Sequence, residues 1–454
     1  MTDLTVKKIK SARQFAFDVL YQIFEKDAYA NLAIQEILRQ FPLKREEKNL
    51  LTELVYGVCR RYNYLLWIIS QLSARPIKKM HPTVRILLCI ALYQLIYLDR
   101  IPESAAVNET VKISKRITHV GNSKFINGIL RNFLRKKNQI ALPQENEAPV
   151  LYDSLKYSVP GWLVKYWMES FGTVKTKKIL AAFQEPPHMC IRVNTLKISV
   201  EDLKVKLSDK GVSFESVPYI KEALLIKKRA DLIFGDLLQK GFIYIQSISS
   251  MMPAVILGAA PHENILDMCA APGSKTTYIA SCMDNRGTID AWDIYPHKIN
   301  LIEGNAKRLG ISIIHAEVRD GTVPDPSRYN RYDRVLVDAP CSGLGVIGHK
   351  PEMKWKRSEA DLFEFPKIQK KLLEKACRYL KKDGILVYST CTLNKKENEN
   401  IIEEFLSSHP GFASVDFSIP AAGESQSGMM TLWPEQFGSD GFFLAKLRKV
   451  YDEI

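Results

Sequence analysis

Apolar residues along the first 140 or so positions recur at three- and four-residue spacing. In ARQFAFDVLYQIFE (12–25), Phe15, Val19 and Ile23 fall on one helical face. ANLAIQEILRQF, EKNLLTELVYGVCRRYNYLLWIISQL and the run from Pro82 to Leu98 repeat that period. ESAAVNETVKISKRI (103–117) and NSKFINGILRNFLRKKNQ (122–139) complete an all-α domain expected over residues 1–142. LPQENEAPVLYDS (142–154) has the composition of a linker. After it, the helical VPGWLVKYWMESFG, a short strand, a helix and a glycine turn predict a small α+β subdomain over 150–245. GFIYIQSISSMMPAVIL (241–257) then runs from strand into helix.

From about Pro261 the rhythm becomes strand, loop, helix. ENILDM, TIDAWDI, SIIHAEVRDG, YDRVLVDAP and GILVYSTC read as strands, with helices at KTTYIASCM, HKINLIEGNAKRLG and around 359–382. This alternation predicts an α/β domain over 246–454: a mostly parallel, doubly wound, Rossmann-like sheet with helices on both faces. GFFLAKLRKV near the end alternates like a final edge strand. Ligands of such sheets lie beyond the carboxyl ends of the strands.

A chain of 454 residues, 46% hydrophobic and 25% charged, fits two or three soluble domains. ILLCIALYQLIYL (86–98) is too short for a membrane span and holds Gln94, so a buried helix is expected and no membrane partner. With no apolar leader, the expected location is the cytoplasm, and the expected state a monomer. Eight cysteines without a CxxC pair predict free thiols and no metal site. Of the net charge of +14, residues 1–144 carry +13. Such asymmetry points to a phosphate-rich partner, with surface solubility as the alternative. Arg60 and Arg61 form one cationic point; Arg131, Arg135, Lys136 and Lys137 form another, either an RNA contact or a solvated helix end.

The chemistry concentrates at the expected strand ends. LDMCAAPGSKT (266–276) follows a strand and opens a helix, so the loop Cys269, Ala270, Ala271, Pro272, Gly273, Ser274 and Lys275 can bring main-chain N–H groups to a ligand. It is neither a Walker loop nor a GxGxxG motif, and alone it could be a tight turn. Asp293, 20 residues after Gly273, ends the next strand where a carboxylate can hold ribose hydroxyls; Asp320 ends the one after and could take an exocyclic amine. Together they suggest an adenosine-type cofactor without phosphates, Lys275 orienting its amino-acid tail. Cys59, Cys89, Cys282 and Cys377 read as small hydrophobes. Cys341 and Cys391 each lie just past a strand, and Asp338 shares the space of Cys341. A thiolate nucleophile with a nearby acid managing a ring nitrogen is pyrimidine chemistry.

LDMCAAPGSKTTYIA, DAPCSGLGVIGHKPEMKW and YSTCTLNKKENE resemble the motifs of the RsmB/NOP family, RNA cytosine-5 methyltransferases that use S-adenosyl-L-methionine. The resemblance covers roughly residues 150–450, including IRVNTLK (191–197) and YIQSISSMMPA (244–254), and the helical N-terminus resembles a NusB-like RNA-binding domain. That pairing is typical of bacterial members acting on 16S rRNA at cytosine 967. The resemblance implies a class I methyltransferase sheet. It implies Cys391 as the nucleophile at C6, Cys341 in product release, and Asp338 on the base near N3 and N4, besides bordering the cofactor. The 269–275 loop would hold the methionine portion, Asp293 the ribose and Asp320 the adenine side. Ser274, Ser247 and Arg319 depart from the common family residues. A tRNA substrate and a non-catalytic RNA-binding or antitermination factor are the competing readings.

Overall fold

The helical period of the first segment becomes a bundle. The computed structural model describes residues 10–185, 188–227 and 231–451. The chain divides into two units: residues up to Leu180 together with Lys350–Arg357, and Ala181–His349 together with Ser358 onward. The first unit holds α1 (Ala12–Lys26), α2 (Ala30–Gln40), α3 (Arg45–Leu72), α4 (Pro82–Tyr97), α5 (Glu103–Ile117), α6 (Val120–Lys136), α7 (Pro149–Lys156) and α8 (Gly161–Phe171), with α9 (Thr173–Ala182) at its end. The long apolar run is α4, buried on nearly every side, as a helix without a polar face must be. Its one polar intruder, Gln94, is satisfied by the Ile90 carbonyl at 3.0 Å and by Arg13 Nε at 2.6 Å. No described helix is long and apolar enough to cross a membrane.

Two expectations need correction here. The segment read as a linker to 154 becomes helical from Pro149, because proline is well suited to a first helical turn, where its missing N–H has no partner to lose. Ser154 of α7 then accepts from Asn63 Nδ2 of α3 at 2.8 Å, so residues 150–180 belong with the helices rather than with the α+β subdomain.

That subdomain is a four-stranded antiparallel sheet. It comprises β1 (Met189–Val193), α10 (Val200–Asp209), β2 (Phe214–Val217), β3 (Ile220–Ile226), α11 (Asp231–Gln239) and β4 (Ile243–Ile245), in strand order β2-β3-β1-β4. After α12 (Ile248–Leu257) come β5 (Asn264–Asp267), α13 (Ser274–Cys282), β6 (Thr288–Asp293), α14 (Pro296–Leu309), β7 (Ile314–Val318) and β8 (Tyr332–Asp338). Then follow α15 (Asp361–Tyr379), β9 (Leu380–Thr390), α16 (Glu399–Ser408), β10 (Phe412–Ser414), the short ribbon β11 (Ser418–Ile419) and β12 (Gly423–Glu424), β13 (Met429–Leu432) and β14 (Phe442–Lys449).

Five strands, β9-β8-β5-β6-β7, run parallel. Strands buried on both faces read as continuous apolar runs, and adjacent residues serve opposite cores. Leu336 packs in the cluster with α12 and α13, whereas Val335 and Val337 pack with Leu372, Leu373 and Ala376 of α15. The expected edge strand is interior: β14 lies antiparallel between β9 and β10 and also pairs β13. The order reverses between β5 and β8, which makes the carboxyl end of that pair the switch point where ligands of open sheets bind.

Candidate active site

Each candidate residue of the second unit sits at one end of the parallel sheet. The 269–275 loop leaves β5, Asp293 ends β6, Asp320 follows β7, Asp338 ends β8, and Cys391 follows β9. The β5 loop is pinned when Ala270 N–H donates to the Trp292 carbonyl at 2.8 Å. Gly273 turns into α13 at φ +94°, where any Cβ would strain the backbone and also press on Ile302 Cα at 3.3 Å. Ala270, Gly273 and Lys275 are buried, Cys269, Ala271 and Ser274 half-buried, and Pro272 exposed.

The sequence reading gives Lys275 to the tail of the cofactor. Its ammonium instead lies 2.7 Å from Asp338 Oδ2. Ser389 Oγ donates to Asp338 Oδ1 at 2.8 Å. Burial would lower the Lys275 pKa, but the Asp338 carboxylate, with a smaller contribution from Cys391, raises it above the usual lysine value. Lys275 is therefore a fixed cation. Asp293 is buried and accepts from Tyr295 N–H at 3.2 Å, with Lys298 Nζ at 3.5 Å. Asp320 is half-buried, and its Oδ1 accepts from the Thr322 N–H and hydroxyl at 2.9 and 2.7 Å.

Cys341 Sγ and Cys391 Sγ are 3.2 Å apart, both half-buried. The hydrogen bond to Cys391, reinforced by burial, pushes the Cys341 thiol well above its ordinary value. Cys341 is thus the member of the pair that keeps its proton. Cys59, Cys89 and Cys377 are buried as expected of small hydrophobes, but Cys282, the last residue of α13, is exposed.

Sequence reasoning missed the group that holds the two thiol loops together. The Glu397 carboxylate is buried and accepts from Ser342 N–H (2.9 Å), Ser342 Oγ (2.5 Å), Gln369 Nε2 (2.9 Å) and Asn394 Nδ2 (2.8 Å). Burial still raises its pKa against those bonds. Ser342 also shares a 2.7 Å hydroxyl contact with Thr392, so residues beside each cysteine are cross-linked. The signal was a glutamate just past the STCT motif.

Arg192 was missed as well. It is buried, bonds Gln246 Oε1, the Ser274 carbonyl and Thr277 Oγ1 at 2.5, 2.7 and 2.9 Å, and lies over the rings of Tyr244 and Tyr278. It props the cofactor-side turn from the α+β subdomain. A lone arginine inside the apolar strand CIRV was the visible clue.

A switch-point loop, strand-end carboxylates and paired thiols on such a sheet, in a chain that also carries a helical bundle, define a methyltransferase of the RNA-modifying kind. Residues 254–448 match the family described as 16S rRNA methyltransferase RsmB/F, residues 10–135 the NusB family, and residues 159–232 the ferredoxin-like domain of RsmF/B-like methyltransferases. The chain is 36% identical over 450 residues to the probable ribosomal RNA small subunit methyltransferase B of Bacillus subtilis, covering 97% of this chain and 99% of that protein. It is 32% identical over 447 residues to the ribosomal RNA small subunit methyltransferase B of Photorhabdus laumondii, covering 98% and 100%. The crystal structure of PH0851 superposes with TM-score 0.83 at 27% identity, covering 98% of this chain and all of that one. The structure of NSun6 from Pyrococcus horikoshii with SFG gives 0.59 at 26% identity, covering 64% and 99%. The chain belongs to the 16S rRNA methyltransferase RsmB/F family.

Two outcomes follow from this geometry. A Cβ on Gly345 would fall 2.0 Å from the Gly441 carbonyl oxygen and 2.9 Å from that of Cys391, both main chain. Gly345→Ala should therefore displace the thiol loops and lower kcat by on the order of tenfold or more, read in a methyl-transfer assay. Asp267, buried beneath the cofactor loop, has its pKa raised to about 7, chiefly by burial and against a hydrogen bond from Thr276. The folded state then holds a proton that the unfolded chain releases near pH 4, so this group's contribution to stability falls as pH rises from about 4 through about 7. Urea unfolding should show the wild type losing stability relative to Asp267→Asn across that window; a pH-independent difference would reject the assignment.

Proposed function

We propose that this chain transfers a methyl group from S-adenosyl-L-methionine to C5 of a cytosine in 16S rRNA, cytosine 967 in standard numbering, through a covalent adduct on Cys391. The single observation that carries this reading is the 3.2 Å approach of two thiols at the ends of adjacent strands, beside the Lys275–Asp338 pair. The residues around the β5 loop fit the cofactor. Gly273 and the alanines leave its main chain bare, and the Asp293 carboxylate stands at the neighbouring strand end, suited to a ribose diol. Cys269 to Lys275, Asp293, Asp320 and Asp338 would border it, and it supplies a methyl group on a sulfonium sulfur. SFG, present in the NSun6 structure, is an analogue of the same cofactor.

The protein's part follows from the electrostatics. The Cys391 thiolate, in the field of Lys275, bonds to C6 and pushes an electron pair toward the ring, leaving C5 nucleophilic. Asp338 meets the N3/N4 edge, where the displaced charge gathers. C5 takes the methyl group; its proton is then lost and the electron pair returns to expel Cys391. Cys341, protonated and in contact with that sulfur, assists the departure.

Labelled cofactor with unmethylated 16S rRNA or total tRNA, followed by bisulfite mapping, should give one new mark, at cytosine 967. Cys391→Ala should reduce transfer to background. Full activity in that variant would reject the adduct, and marks confined to tRNA would overturn the substrate.

The bundle is the proposed RNA-binding part. Arg131, Arg135, Lys136 and Lys137 are all exposed at or near the end of α6; Arg135 bonds Asn132, and Lys137 pairs with Glu103 at 2.8 Å. Replacing them by alanine should flatten the dependence of log affinity on log salt by roughly 0.7 per phosphate contact removed, Lys137 contributing least. An unchanged slope in a filter-binding series would place the contact elsewhere.

A further inference from the structure

Lys350–Arg357 belong to the helical unit although they follow the Cys341 loop directly in sequence. Their composition, KPEMKWKR, suits a solvated loop, yet Glu352 and Lys354 are 1% and 2% exposed. Each polar side chain addresses main chain. The Glu352 carboxylate accepts from Ala30 N–H at 3.2 Å and so caps α2, whose own preceding residue, Tyr29, offers no side-chain cap. Trp355 Nε1 donates to the Cys59 carbonyl at 2.6 Å and Lys354 Nζ to the Arg60 carbonyl at 3.1 Å. Lys356 Nζ reaches Asp27 Oδ1 at 2.5 Å, over the ring of Tyr29.

The two α3 carbonyls are an unusual target. In a regular helix they serve the N–H groups of Asn63 and Tyr64. Those same amides are met by Ser158 Oγ at 3.0 and 3.4 Å. Side chains thus reach both halves of the same two steps of the α3 ladder, an insertion of the sort that distorts helices locally. Burying an ammonium and a carboxylate is unfavourable, and Lys354 is pushed down to about 7 by burial and by Arg60 and Arg61. Apolar residues could fill the space; polar ones aimed at main-chain atoms set one register.

The stretch upstream is pinned too. Gly345 N–H donates to the Cys391 carbonyl at 2.9 Å, and Gly441 N–H to the Gly345 carbonyl at 2.8 Å. His349 Nδ1 lies 2.6 Å from Asp440 Oδ1. The chain leaving Cys341 is held against Cys391 at one end and, a few residues later, on α2 and α3 at the other.

We propose that Lys350–Arg357 is a positioning strap for the Cys341 loop, in which Glu352, Lys354 and Trp355 fix on α2 and α3 the chain that leaves Cys341, so that this thiol stays in register for the release step. The strap rests on the reading of Cys341 as the release group. Its residues touch neither substrate nor cofactor and act through Cys341.

The test uses the full chain with Trp355→Phe, Lys354→Met and Glu352→Gln, each near in size to the original, and Cys341→Ala as control. Thermal melts establish that each variant is folded. Initial rates give kcat and KM for 16S rRNA, and denaturing gels give the fraction of protein trapped covalently on RNA. The strap predicts a roughly tenfold fall in kcat, little change in KM, and trapped adduct intermediate between wild type and Cys341→Ala. Wild-type kcat and no trapping in the strap variants, with trapping in Cys341→Ala, would overturn the strap, as would lowered melting with unchanged activity of the folded protein. Absence of trapping in Cys341→Ala would reject the release reading instead, and the kcat values would then decide whether the strap positions anything.

Discussion

The parallel pairing of β8 with β9 is the constraint on which the rest of the site depends. In its register Asp338 stands opposite Ser389, so the two strands end level. Cys341 lies three residues past one member of that pair and Cys391 two past the other. Two short excursions from adjacent, level strand ends, about 5 Å apart, can scarcely avoid each other. The 3.2 Å sulfur contact follows from register rather than from any attraction between thiols. The same pairing lets Ser389 bond Asp338, so the base-facing carboxylate and the two sulfurs share one rigid frame.

Register brings the loops together but does not hold them against thermal motion. That work falls to Glu397, whose four hydrogen bonds join the 342, 369 and 394 positions. A buried carboxylate is unfavourable unless nearly every lone pair is used, and here its side-chain and main-chain donors use them. Removing one donor would leave charge uncompensated, so the clamp is cooperative. Arg192 does for the β5 loop what Glu397 does for the thiol loops: a buried charge, satisfied by fixed acceptors, sets the position of a turn that must stay open to a ligand.

The legible parts of the sequence were those that local pattern controls. VLV and ILV runs marked strands buried on both faces, the helical period marked α1 to α6, and the small-residue loop marked the switch point. The interior place of β14 was hidden because FFLAKLRK alternates toward its end as an edge strand does, while its pairing with β9, β10 and β13 depends on distant chain. The helix from Pro149 was hidden by the linker-like composition around it. Glu352, Lys354 and Trp355 were illegible for a sharper reason: their partners are 322, 294 and 296 residues away, and no local period records a bond to main chain at that range. Charged residues in a loop look solvated until the acceptor is seen.

The Lys275–Asp338 ion pair raises a last question, since a cation parked on the base-facing carboxylate might seem to block it. The count of lone pairs says otherwise. An ionised carboxylate offers about four acceptor positions. Lys275 takes one on Oδ2 and Ser389 one on Oδ1, and Asp338 keeps a quarter of its side chain open. A pyrimidine edge with an amino group can therefore be received without displacing either partner. Lys275 then performs two tasks from one place: it keeps Asp338 ionised and it places positive potential at Cys391, the sulfur that has to lose its proton first. A lysine freed to hold the cofactor's tail would do neither. The ion pair is accordingly better understood as the working arrangement of the site than as a resting state that substrate must break.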